Sequence, residues 1–66
     1  MNITINGETR EIQEGTTIQA LLEALELQPD VTVVQRNEDI IQRDAYEATA
    51  LNDGDTLELV RFVGGG

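Results

Sequence analysis

Neither cysteine nor histidine occurs in the 66 residues, and lysine, serine and tryptophan are missing as well. Without cysteine there is no disulfide framework and no thiol redox motif. Without histidine too, a zinc site of the common kinds and a Cys/His catalytic pair are excluded. The nucleophiles that remain are the threonines, Tyr46, the carboxylates and the two chain ends, so a self-contained hydrolase or transferase is not expected. Disulfides and metals are also how many small folds gain stability. A chain of this length buries only about 60% of its unfolded surface, and it must rely on a thin apolar core. Basic residues are nearly as scarce: four arginines stand against thirteen acids, giving a net charge of −9 and a pI near 4.1. Such a surface is repelled by phosphate backbones and anionic membranes. Nucleic acid and lipid are therefore poor partners, whereas a basic patch on another protein would attract it. No apolar run approaches the roughly 18 residues of a membrane span. Met1-Asn2-Ile3 opens a strand pattern and not a signal peptide. The chain is expected to be cytoplasmic and, when free, monomeric.

What is present follows two periodicities. Met1, Ile3 and Ile5 alternate with Asn2, Thr4 and Asn6, the period of a half-buried strand. Asn6-Gly7, two residues that tolerate positive φ, predicts a tight hairpin. The strand after it, about Glu8 to Gln13, offers mainly Ile12 and reads as an edge blunted by Glu8, Arg10 and Glu11. Ile18, Leu21, Leu22 and Leu25 then recur at helical spacing, with Thr16 and Gln19 as an expected capping box and Pro29 as the stop. Val31, Val33 and Val34 predict a third strand, ended by the polar turn Gln35 to Asp39, and Ile40-Ile41 a short fourth. Asp44 to Ala50 reads as a helical turn capped by Asp44, tucked in by Tyr46 and Leu51. Asn52-Asp53-Gly54-Asp55 is a tight turn, and Thr56 to Phe62 is the most β-prone stretch.

One helix crossing a mixed sheet of four or five strands is the economical packing of that order, an α+β, ubiquitin-like β-grasp. The expected core is Ile3, Ile5, Ile18, Leu21, Leu22, Leu25, Val33, Leu57 and Leu59. Residues 1–63 form the domain, and 64–66 a flexible Gly-Gly-Gly tail.

Few side chains could carry chemistry. Asp53-Gly54-Asp55 lacks the further oxygen ligands and closing Glu of a calcium loop, and no metal site is expected. Tyr46 reads as a half-buried anchor with a wet hydroxyl. In the last strand Leu57 and Leu59 point inward, so Val60 and Phe62 lie on the solvent side as a docking patch, while Arg61 and Val63 continue the first face. Gly64, Gly65 and Gly66 lack a Cβ, so a narrow channel could admit them and the terminal carbonyl is open to attack. The terminal carboxylate is unreactive until activated as an acyl-adenylate.

Taken together, the chain resembles the ThiS family, ubiquitin-like sulfur carriers of thiamine biosynthesis. The resemblance rests on Met1-Asn2-Ile3 with Asn6-Gly7, Thr17-Ile18 with Leu21-Leu22-Glu23, and Val31-Thr32-Val33-Val34. It continues through Ile40-Ile41 with Arg43 and the run Leu51 to Asp55, and closes on Leu57 to Gly66. The turn Gln35 to Asp39 is more charged than is usual in that family. The resemblance implies a protein cosubstrate without catalysis of its own and with no bound cofactor. It implies that an E1-like, ThiF-type enzyme, holding ATP and a metal ion, adenylates Gly66. A cysteine desulfurase or persulfide carrier supplies sulfur, and the Gly66 thiocarboxylate feeds a ThiG-type thiazole synthase. Val60, Arg61, Phe62, Val63, Gly64 and Gly65 would then contact the partners. Rival readings are the small subunit of molybdopterin synthase, a protein modifier, and a non-covalent interaction module.

Overall fold

The computed structural model describes residues 1–61. Its first element, β1 (Asn2–Ile5), turns at Asn6 and Gly7, with φ of 49° and 83°, into the antiparallel strand β2 (Glu8–Glu11). Both residues accept the positive φ that a two-residue hairpin matching strand twist requires. Ile3 and Ile5 are buried while all of β2 is exposed, so β2 is the charged edge that its composition implies.

The helix α1 spans Ile18–Ala24 and begins one residue later than expected. Thr17, not Thr16, is the N-cap, its hydroxyl accepting from the Ala20 N–H at 3.1 Å. Thr16 Oγ1 instead donates to the Gln13 carbonyl, and the Gln19 side chain reaches Glu23. The Ile18 and Gln19 N–H groups, which no helical carbonyl can serve, donate to Thr49 and Tyr46 carbonyls. The end differs too. Glu26, at φ 60°, and Leu27 close a Schellman motif onto the Glu23 and Leu22 carbonyls, so the helix stops well before Pro29. Pro29–Val31 is a separate 3₁₀ turn leading into β3 (Thr32–Arg36).

The parity of β3 is shifted from the expected one. Val34 and Thr32 are buried and Val33 is exposed, because Val31 is spent in the 3₁₀ turn. The strand also runs on to Arg36, and only Asn37 and Glu38, at φ 48° and 77°, turn it into β4 (Asp39–Ile41). The segment after β4 holds a 3₁₀ turn, Arg43–Ala45, with Asp44 inside it and not capping it. Tyr46 is fully buried, and its hydroxyl is not wet: it donates to the Thr32 carbonyl at 2.7 Å. The last described strand is β5 (Thr56–Arg61).

The sheet order is β2-β1-β5-β3-β4, with β1 and β5 parallel and the other pairs antiparallel. One helix packs on one face of this mixed five-stranded sheet, the β-grasp arrangement. Its core is Ile3, Ile5, Ile18, Leu21, Leu22, Val34, Tyr46, Leu51 and Leu57, with Leu25 and Leu59 packed against it half-buried. Each fully buried aliphatic side chain contributes about 1.5–3 kcal/mol of transfer free energy, so the nine-residue cluster is the main favourable contribution in a domain this thin.

Candidate functional site

The candidate site is the end of the central strand. Phe62, Val63, Gly64, Gly65 and Gly66, which carry most of the expected chemistry, lie outside the described residues. Val60 and Arg61 lie within them, both exposed and on opposite faces. Val60, 58% exposed, stands on the face away from the helix. There it is directly opposite Val33 of β3, and Ile40 lies on the adjacent strand β4, so three exposed aliphatics share the uncovered face. Val33 was expected in the core, and Ile40 only as part of a short strand. Both follow from register: once Val34 faces inward, Val33 must face outward beside Val60.

Arg61 points to the other face. With Arg10 it flanks an open cleft of about 390 Å³ whose apolar lining includes Ile5, Leu25, Leu27 and Leu59. Arg10 approaches Glu8 at 3.9 Å, an exposed pair of little energetic weight. Leu25 and Leu27, which follow α1, line it from the helix side.

Turn asparagines hold both ends of β5. At its end, the Leu59 N–H donates to Asn6 Oδ1 at 2.8 Å and Asn6 Nδ2 donates to the Leu59 carbonyl at 3.3 Å. At its start, the Thr56 N–H donates to Asn37 Oδ1 and the Asn37 N–H to the Thr56 carbonyl, each at 2.9 Å. The start is backed by Asp55, which is buried and accepts from Arg36 Nε at 2.9 Å, Asn37 Nδ2 at 3.0 Å and the Asn52 N–H at 2.8 Å. Burial disfavours the ionised Asp55 carboxyl. The bonds from Asn52 and Asn37 and the charge and hydrogen bond of Arg36 outweigh that, holding it below its ordinary value. Asp53 Oδ1 accepts from the Asn2 N–H at 2.7 Å. The Asp-Gly-Asp segment therefore ties the turn to the sheet, and no group of acids suited to a metal ion occurs among the described residues. Nor is any helix among them long and apolar enough to cross a membrane.

The sequence model of the ThiS family matches residues 3–66. The chain is 42% identical over all 66 residues to a thiazole synthase of Paramagnetospirillum magneticum, of which it spans only 20%. It therefore covers about a fifth of the length of such relatives. The sulfur carrier protein ThiS of Bacillus subtilis is 38% identical over 65 residues, 97% of this chain and 98% of that protein. The crystal structure of a thiamine biosynthesis protein, ThiS, from Geobacter metallireducens superposes with a TM-score of 0.86 at 36% identity, covering both chains in full. Fold, ending and likeness agree, and the chain belongs to the ThiS family.

Proposed function

We propose that this chain is a sulfur carrier of thiamine biosynthesis and that the α-carboxyl of Gly66 carries the sulfur. The observation that supports this most is the family match over residues 3–66, together with the near full-length likeness to the Bacillus subtilis carrier. The chemistry needs help from partners. A terminal carboxylate, with a pKa of about 3.3–3.7 in model peptides, is ionised at neutral pH and has no leaving group. A ThiF-type activating enzyme that holds ATP and a metal ion supplies one. A Gly66 carboxylate oxygen attacks the α-phosphorus and pyrophosphate departs. The terminal sulfur of a persulfide, from a cysteine desulfurase or persulfide carrier, then attacks the acyl carbon and AMP departs. A partner thiol then attacks the inner sulfur and breaks the S–S bond that came with the persulfide, which leaves a disulfide on the partner and the thiocarboxylate on Gly66. Stabilising the developing charges falls to the partner, since this chain has no Cys, His, Lys or Ser to act as nucleophile or neutral-pH base.

The thiocarboxylate would donate its sulfur to a thiazole synthase. Proteins named thiazole synthase contain a segment resembling this chain, and joining two partners in one chain raises their effective concentration. The structure contributes a rigid root. Arg61 is paired with Thr32 in the sheet, five residues before Gly66. Val60 and Arg61, with Phe62, Val63, Gly64 and Gly65, then form the partner-contacting end.

The test is intact-mass measurement after incubation with the activating enzyme, ATP, cysteine and a desulfurase. The expected product gains the mass of one oxygen-for-sulfur exchange, confined to the C-terminal peptide. Deleting Gly66 shifts the carboxyl back by about 3.3–3.6 Å. Because misplacement by about 1 Å can lower a rate 100-fold, thiocarboxylation should nearly vanish while folding is unchanged. An unmodified wild-type chain, or a deletion variant that reacts equally well, would count against the proposal.

A further inference from the structure

We infer that Asn6 is a positioning residue for the carrier reaction: its side chain finishes the pairing of β5 and so fixes where the reactive end leaves the fold. This rests on the sulfur-carrier reading proposed above.

The sheet itself poses the problem. β1 pairs with β5 only at Thr4–Thr56 and Ile5–Leu57, and the last main-chain bond between them is the Asn6 N–H to the Leu57 carbonyl at 2.9 Å. The chain then turns away at Asn6-Gly7 to form β2. Backbone groups of a central strand point alternately to its two neighbours. Those of Leu57 and Leu59 point toward β1, where no backbone remains opposite Leu59. The Asn6 amide fills that gap. Its carbonyl oxygen accepts from the Leu59 N–H at 2.8 Å and its NH₂ donates to the Leu59 carbonyl at 3.3 Å. A primary amide has the same donor and acceptor as a peptide unit, so the side chain serves as one more residue of β1.

Without it, β5 from Leu59 onward is held by β3 alone. Its other flank is the open cleft lined by Asn6, Leu59 and Arg61. The consequence bears on the reaction. A partner must grip the body of the domain and receive Gly66 in its active site at once. The shorter and better rooted the connecting segment, the less freedom is lost on reaching that site. With pairing kept to Arg61, five residues of sequence separate the last described pair from Gly66; with pairing lost beyond Glu58, eight do. Turn formation alone does not require the amide, because glycine also suits positive φ at this hairpin position.

That separation makes the test clean. Asn6→Gly keeps the turn and removes the amide, while Asn6→Asp keeps an acceptor for the Leu59 N–H and loses the donor. In amide hydrogen exchange, the Asn6→Gly protein should stay folded with faster exchange at Leu59 and also at Val60, whose N–H faces β3, while Glu58 stays protected. In steady-state thiocarboxylation, kcat/KM should fall about three- to tenfold, the size expected for one or two hydrogen bonds and the lost pairing of residues 59–61. Asn6→Asp should fall between the two. Quickened exchange at Leu59 alone, or an unchanged kcat/KM in the folded glycine variant, would overturn the assignment. If the wild-type chain is not thiocarboxylated at all, the carrier reading fails instead, and exchange at Leu59 and Val60 still decides whether Asn6 roots the strand.

Discussion

The two ends of β5 are held by the same device in different settings. At the start, Asn37 binds the Thr56 backbone from the β3 side and is itself fixed by Asp55, which Arg36 and the Asn52 N–H also engage. At the end, Asn6 binds the Leu59 backbone from the β1 side, exposed and with no charged side chain hydrogen-bonded to it among the described residues. The first clamp is backed by a buried carboxylate whose part-buried bonds are costly to break, although the Asn37–Thr56 bond itself is exposed. The second is an amide competing with water, worth about 0.5–1.5 kcal/mol per bond. The lesson is a gradient along one strand. Side-chain support is strongest where β5 begins and weaker at Leu59.

The largest expected break in that comparison is Asp55→Ala. It removes the acceptor for three donors and leaves the Arg36 guanidinium, on a side chain only 20% exposed, without its partner. A loss of about 2–3 kcal/mol is expected, at or below the low end for a broken buried pair because Arg36 can partly reach water. Urea denaturation at neutral pH measures it. A loss no greater than that of Asn6→Gly would mean that the two ends are equivalent after all.

Acid should separate the ends next. The folded-state pKa of Asp55 lies below its ordinary 3.8, so its contribution is present above that value and is lost as pH falls through the folded one. Asp55→Asn, which cannot titrate, should therefore be less stable than wild type at pH 7, and the gap should narrow below about pH 4. Parallel stability curves for the two proteins would contradict the assigned role of Asp55. Asn6→Gly, by contrast, removes no titratable group and should track wild type across the same range.

The smallest effect belongs to the turns themselves. Gly7 and Glu38 occupy the same place in their hairpins, at φ 83° and 77°. Glutamate has a Cβ that resists this conformation, so Glu38→Gly should stabilise by about 0.5–1 kcal/mol and Gly7→Ala should destabilise by about 1 kcal/mol. A Cβ at Gly7 would meet no atom within 4 Å, so the latter effect would be purely conformational. Shifts in thermal midpoint of opposite sign are the expected reading.

How legible these features are in the sequence depends on whether their cause is local. The helix stripe Ile18, Leu21, Leu22, the Asn6-Gly7 hairpin and the inward Leu57 follow from spacing and turn chemistry within a few residues. So does the exposure of Val60 by alternation. The second hairpin is legible as the polar turn Gln35 to Asp39 between two strands, but its exact place is not, because Glu38 stands where glycine would mark it. Val31-Thr32-Val33-Val34 carries valine at both parities, so pattern could not tell Val33 from Val34. Only the 3₁₀ turn at Pro29–Val31 and the buried Thr32, whose hydroxyl donates to Gln28, decide between them. The Tyr46 bond to Thr32 and the Asp55 cluster join residues 14 to 19 apart. The Asn6 amide meets Leu59 across 53 residues. Nothing local signals such pairings.

The place of β5 in the sheet order has a consequence for how the domain is made. It is the middle strand of the sheet and the last of the five in sequence. During synthesis, therefore, β1 and β3 have no neighbour between them until residues 56–61 emerge, and the sheet cannot close around its core beforehand. Closure also pairs segments far apart in sequence, which slows folding relative to local structure. A chain broken off before β5 would lack the centre of its sheet. Translation thus leaves the sheet of the described residues incomplete until its middle strand is made.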